Sequence, residues 1–201
     1  DGKGGIEIIR LFKYASSDPT PTIQSEELSP APIAYWKFDE GIGATAYDSM
    51  GNYNGNINGT TWQTEENCIS GKCLSFNGTT SDFVNTNYGN NRNMTDPISI
   101  SMWIKPISPP SNKMFFGPAN GNNQRFYFSI YNGKWDMGIQ TGAWGGGTEI
   151  TTWDQWHHIE ITANGSVVKM YVNNKLVSTK SYTPYALASN LYIGYGTSSG
   201  Y

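Results

Sequence analysis

The sequence is short of charge, cysteine and histidine, and it has no long apolar run. Only 14% of its 201 residues are charged, with 13 Lys plus Arg against 16 Asp plus Glu. No basic cluster interleaves with aromatics, so nucleic acid and anionic membrane are not expected partners. No stretch reaches the length of an apolar membrane span, and the first residues lack the basic and apolar regions of a signal peptide. No membrane insertion is expected, and if the protein is secreted the sequence is expected to be the mature one. Its two cysteines, Cys68 and Cys73, have no nearby His and so are not expected to make a zinc set. Helix signals are scarce too, because proline interrupts both EELSP and SYTPYALAS before an amphipathic face develops.

Gly, Asn, Thr, Ser, Tyr and Trp are abundant instead, a composition that suits twisted sheets with polar turns in an extracellular or cell-surface protein. From Ile33 onward the chain breaks into short segments bounded by Gly, Asn and Pro: AYWKFDE, KCLSFNG, ISISMWIKP, RFYFSIYNG, WHHIEITANG, VVKMYVNNK and LYIGYG. This pattern predicts an all-β fold in one domain, a two-sheet antiparallel jelly-roll sandwich. ITANGSVVKMYVNNKLVS reads as two hairpins turning at Asn164-Gly165 and Asn173-Asn174, residue types that tolerate positive φ. Cys68 and Cys73 flank a short turn and are expected to form a disulfide worth about 2 kcal/mol. Free thiols in a reducing compartment are the other reading.

The first residues, DGKGGIEIIRLFKYASSD, carry Ile6, Ile8, Ile9, Leu11 and Phe12 in a strand pattern. Each such side chain gains roughly 1.5–3 kcal/mol from burial, so the strand must be covered. Strict alternation puts Ile9 and Leu11 on one face and Ile6, Ile8 and Phe12 on the other. The following SSDPTPTIQSEELSPAP, with Pro19, Pro21, Pro30 and Pro32, reads as a linker. The chain is thus organised as a strand within residues 1–17, a Pro-rich linker over 18–33 and a sandwich over 34–201.

From Ala34 on, the order of motifs resembles the laminin-G-like, or concanavalin A-like, jelly-roll family. AYWKFDEGIGATAYDSMGNYNGNINGTTW is similar to its opening strand and Gly/Asn-rich loop, GKCLSFNGTTSDFVN to its second landmark, ISISMWIKP to its Trp strand and WHHIEITANGSVVKMYVNNKLV to its late hairpin. The family's closing strand runs Ile-acid-acid-Val-Arg-Ile-Tyr after the segment matching LYIGYG, and this sequence stops at Tyr201 before one. Ile6, Glu7, Ile9, Arg10, Leu11 and Phe12 resemble that strand, displaced to the other end. It is expected either to fold into its own sandwich as in a circular permutant, to be donated to a neighbouring copy, or to belong to a tandem array. Roughly eighteen linker residues reach about 60 Å, against a domain diameter of about 40 Å. Reach decides nothing, while the proline spacer favours donation and head-to-tail filaments.

The family includes glycoside hydrolases, which need two carboxylates across the scissile bond, commonly from a Glu-x-Asp-x-x-Glu strand. That motif is missing, and Glu26-Glu27, Asp39-Glu40 and Glu65-Glu66 are adjacent pairs that read as solvated charges, so no catalytic residue is expected. The resemblance implies calcium as a cofactor, with Asp39, Asp48 and Asn52 as ligands and Glu7 as the one acid left from the closing-strand motif. For carbohydrate binding, Trp135, Trp144, Trp153 and Tyr127, with Phe126 and Tyr131, are the candidate stacking rings. Trp36, Trp103 and Trp156 are assigned to the core, and of His157 and His158 one is expected to face the core and one solvent. Sequons at Asn58, Asn77, Asn93 and Asn164 are as frequent as chance predicts in so Asn-rich a chain. The expected function is a non-catalytic extracellular structural or adhesive module that assembles with copies of itself by strand donation. A monomeric carbohydrate-binding module recognising surface glycans is the alternative.

Overall fold

A computed structural model describes residues 4–12, 31–79, 81–107, 113–118, 126–139, 147–187 and 189–195, with residues 4–12 described by their backbone path. In chain order the strands are β1 (Gly4–Phe12), β2 (Ala34–Trp36), β3 (Thr45–Ala46), β4 (Gly55–Asn58), β5 (Thr61–Gln63), β6 (Cys73–Phe76), β7 (Phe83–Asn85) and β8 (Ile98–Lys105). There follow β9 (Lys113–Pro118), β10 (Phe126–Tyr131), β11 (Lys134–Ile139), β12 (Thr148–Glu149), β13 (His157–Ala163), β14 (Val167–Val172), β15 (Lys175–Ser181) and β16 (Leu191–Ile193). Among the described residues the sole helical element is a 3-10 turn at Glu65–Asn67.

These strands form two eight-stranded sheets. The first runs β15-β14-β13-β8-β1-β6-β5 with β2 also paired to β1, and the second runs β12-β11-β10-β9-β16-β7-β4-β3. All pairings are antiparallel, which is the sandwich that the alternating sequence predicts. β8 shows the cause most plainly: Ile98, Ile100, Met102 and Ile104 are buried, and the residues between them are half-exposed. They meet Phe126, Phe128 and Ile130 of β10, Met137 of β11 and Leu191 and Ile193 of β16 in one continuous core. Asn173 and Asn174 both take positive φ at the β14–β15 turn, and Gly165 does so at the β13–β14 turn.

β1 lies in the interior of this chain's own first sheet. It pairs with β8 along one edge, and along the other with β6 and then β2, where Ile9, Arg10 and Leu11 oppose Trp36, Tyr35 and Ala34. Against β8 the register runs Ile6 to Ile104 and Glu7 to Trp103, then shifts so that Ile9 meets Met102 and Leu11 meets Ile100. The bulge at Ile8 corrects the strict alternation read from the sequence. One extra residue resets the two-residue phase, so position 6 joins 9 and 11 opposite the buried residues of β8, while 7, 10 and 12 oppose Trp103, Ser101 and Ser99.

Trp103 is a second correction. It occupies an outward position of β8 and is half-buried, leaning on His158 with ring centroids 5.0 Å apart. Trp156 is also half-buried, whereas Trp36 is fully buried and donates its indole N–H to Tyr53 O at 2.7 Å.

Candidate glycan-facing surface

The outer face of the second sheet is built from alternate residues of β4, β7 and β16. Ile57, Val84, Leu191 and Ile193 point into the sandwich, so Asn56, Asn58, Phe83, Asn85 and Tyr192 point out. Cross-strand pairing sets them in rows: Asn58 lies opposite Phe83, and Asn56, Asn85, Tyr192 and Gly117 follow one another across four strands. Tyr195 would continue away from this face were the strand to extend. Instead Gly194 takes φ +75°, which breaks the alternation while its N–H still donates to Phe115 O at 3.0 Å.

Three rings meet as a result. Phe83, Tyr192 and Tyr195 are mutually 5.4–5.5 Å apart between centroids, with interplanar angles of 56–67°. All three are half-exposed. Burial, and then the neighbouring Tyr195 phenol, raises the Tyr192 phenol above its usual pKa. Beside the rings Asn85 Oδ1 accepts from Asn87 N–H at 3.0 Å and from Asn190 Nδ2 at 3.1 Å. The backbone donor fixes which side-chain atom is oxygen, so Asn85 Nδ2 is set as a donor. Apolar ring faces flanked by amides can take up the C–H face of a sugar and its hydroxyls together.

The rings named from the sequence lie elsewhere. Trp135 is 3% exposed in the inter-sheet core, packed on Phe115 and His157, and this corrects its assignment as a stacking platform. Tyr127 is 8% exposed and lies so close over Gly138 that a Cβ there would overlap its ring, so it too is no open platform. Phe126 is buried, Tyr131 is half-exposed, and Trp153 is partly buried against the core. Trp144 lies outside the described residues. The trio escaped sequence reading because Phe83 comes from a segment far from the one that carries Tyr192 and Tyr195. The available signal was the alternation in LYI, a tyrosine between two aliphatics.

Of the residues expected around calcium, Asp48 does other work. Asp48 is buried; its Oδ1 accepts N–H groups from Tyr35 (2.7 Å) and Met50 (3.0 Å), and its Oδ2 from Asn52 (3.0 Å) and Tyr53 (3.0 Å). Two bonds per oxygen use the carboxylate's acceptor sites, so Asp48 does not fit a cation ligand and instead folds the loop after β3. Asn52 contributes its backbone to that network, and Asp39 Oδ1 is 3.4 Å from Lys72 N. The Glu7 side chain lies outside the described residues, among which no group of three or more His, Cys, Asp or Glu is placed to hold a metal.

His157 is buried, with Nε2 2.9 Å from Thr152 O and Nδ1 3.2 Å from Asn173 Nδ2. His158 is half-buried, with Nε2 2.8 Å from Ser101 Oγ. Cys68 and Cys73 form a disulfide. Of the displaced strand's residues Ile6, Ile8, Ile9, Leu11 and Phe12, the backbone is placed in cis, within this chain's own sheet.

Residues 77–201 match the laminin-G-type sequence pattern of the Concanavalin A-like lectin/glucanases superfamily. The chain belongs to this superfamily. The matched span contains Phe83, Asn85, Tyr192 and Tyr195, and the superfamily's sandwich supplies the sheet that presents them. No curated protein sequence matches the chain. Among solved structures, domain 4 of AbnA, a GH43 extracellular arabinanase from Geobacillus stearothermophilus in complex with arabinotriose, is 20% identical with a TM-score of 0.58, covering 81% of this chain and 82% of that one. Trypanosoma rangeli sialidase, in complex with 2,3-difluorosialic acid as a covalent intermediate, is 14% identical with a TM-score of 0.53. That match covers 91% of this chain but 31% of the sialidase, so the chain spans under a third of that protein. At these identities the likeness is one of fold.

Proposed function

We propose that the chain is a non-catalytic, extracellular glycan-binding module that works as a monomer with its first strand closing its own sheet. The observation that carries this reading is the outward trio Phe83, Tyr192 and Tyr195 with the Asn56–Asn85–Tyr192 row beside it. A domain of the same fold, that of AbnA, is found with arabinotriose bound, which supports carbohydrate as the ligand class. Glycoside hydrolysis needs two flanking carboxylates, and the described outward positions of this row and trio carry amides and rings in their place. A disulfide suits an oxidising compartment.

Donation of β1 to a neighbour would make the same main-chain ladder and generate filaments. Tethering favours the intramolecular product at low protein concentration, since the strand's effective concentration at its own sheet does not fall on dilution. Two measurements test the reading. Isothermal titration against a panel of soluble glycans should find a ligand whose affinity falls at least tenfold in Phe83→Ala, and light scattering should give the mass of one chain across a wide concentration range. A polymer series that grows with concentration would replace the monomer with strand exchange, and glycan binding unchanged by Phe83→Ala would remove the proposed surface.

A further inference from the structure

The outward row on the second sheet is notable for the side chains that occupy it. Thr45, Asn56, Asn85, Tyr192 and Gly117 succeed one another through direct cross-strand pairing, and Asn58 and Phe83 form the adjacent row. Gly117 is buried, so at about 4.8 Å between strands the accessible part of the row, Thr45 to Tyr192 over four strands, is roughly 14 Å long. None of these residues is charged.

Among the described residues, Asp82 and Lys113 each have partners. Asp82, immediately before Phe83, is 2% exposed and accepts from Asn77 N–H at 2.9 Å and from Thr79 Oγ1 at 3.3 Å. Lys113 donates its ammonium to Gly78 O at 2.6 Å. A ligand carboxylate laid on these rings would lose part of its water with no described cation placed to replace it. Hydroxyls meet the opposite situation. Amides offer both a donor and an acceptor, and Asn85 is already fixed with Nδ2 as the donor. The chain's net charge of −3 also disfavours polyanions at longer range.

We infer that this surface takes neutral glycans and discriminates against uronate- or sialate-bearing ones, with the Asn56–Asn85–Tyr192 row reading hydroxyls while Phe83 and Tyr195 stack on the sugar face. The inference rests on the glycan-binding reading above. Affinity gel electrophoresis of the full chain separates the two: arabinan and xylan as neutral probes, alginate and polygalacturonate as acidic ones, each at low and high salt. The neutral probes should retard the protein equally at both salt concentrations, and the acidic ones should not. Asn85→Ala and Tyr192→Phe should each weaken retardation, Asn85→Ala by tenfold or more, with unchanged circular dichroism. The exposed Asn56→Ala serves as a second amide variant should Asn85→Ala disturb the sheet. Salt-sensitive retardation by alginate or polygalacturonate alone overturns the neutral class and leaves a glycan-binding module standing. Absence of retardation by all four overturns the inference, while the broader glycan panel separately decides the module reading. Retardation by neutral glycans that is unaffected by the amide and ring variants overturns the assigned row.

Discussion

A methyl group on Gly194 would sit 2.2 Å from Cδ1 of Phe76. The turn that brings Tyr195 beside Tyr192 therefore depends on the absence of a side chain as well as on positive φ. In Gly194→Ala the left-handed backbone and the displaced ring together cost about 2–4 kcal/mol, or roughly 4–16 °C in melting temperature for a domain of this size. Glycan affinity should fall as well, because Tyr195 loses its seat. A variant that melts like the parent would show that the turn relaxes freely.

Asp48→Ala leaves the N–H groups of Tyr35, Met50, Asn52 and Tyr53 without their acceptor. The expected loss is about 3–5 kcal/mol in urea unfolding, with Asp48→Asn intermediate because it keeps one oxygen. Saturating calcium should leave the parent's unfolding midpoint in place, since that carboxylate has no acceptor site to offer. A calcium-dependent rise abolished by Asp48→Asn would reverse this assignment.

Burial raises the phenol pKa of Tyr88, Tyr182, Tyr185 and Tyr192 above the ordinary value. A phenol that the fold keeps neutral contributes stability in full below its unfolded pKa, and that contribution is lost as pH rises through the folded value. Stability should thus be flat toward neutrality from these groups and decline above about pH 10. Tyrosinate absorbance should rise in two phases, the later one coinciding with loss of sheet dichroism. A single phase near pH 10 with the sheet intact would contradict the burial of these rings.

Removing residues 1–17 takes out the strand that β8, β6 and β2 all pair with. The truncated chain should be poorly folded and prone to aggregate, as an open edge with apolar lining predicts. A peptide of residues 1–17 added in trans should restore a soluble species of one domain plus one peptide. A truncated domain that is monomeric and melts like the parent would show that β1 is dispensable.

How much of this the sequence revealed depended on whether a signal was local. β8 and β13 alternate without interruption and were legible, as were the asparagine turns at 164–165 and 173–174. β9 and β11 were not: KMFFGP alternates poorly, KWDMGI alternates but is short, and each contains a glycine. The opening strand's place beside Ala34–Trp36 followed from its likeness to a closing strand, but the phase of Ile6 depended on a bulge that an apolar pattern does not encode. The stacking rings were hardest. Trp135 and Tyr192 are both aromatics in short strands, and only the packing of one on Phe115 and His157 and of the other beside Phe83 tells an inner position from an outer one.

The position of β1 also orders events during synthesis. β1 ends at Phe12 and its central neighbour β8 is complete only at Lys105, so at ribosomal speed the finished strand waits roughly 5–19 s before its partner exists. Contacts of such long sequence separation also place the domain among slow folders. Throughout that interval an apolar segment with high strand propensity is exposed. The proline-rich stretch that follows it, unable to extend a β ladder, limits how far premature pairing can spread along the nascent chain.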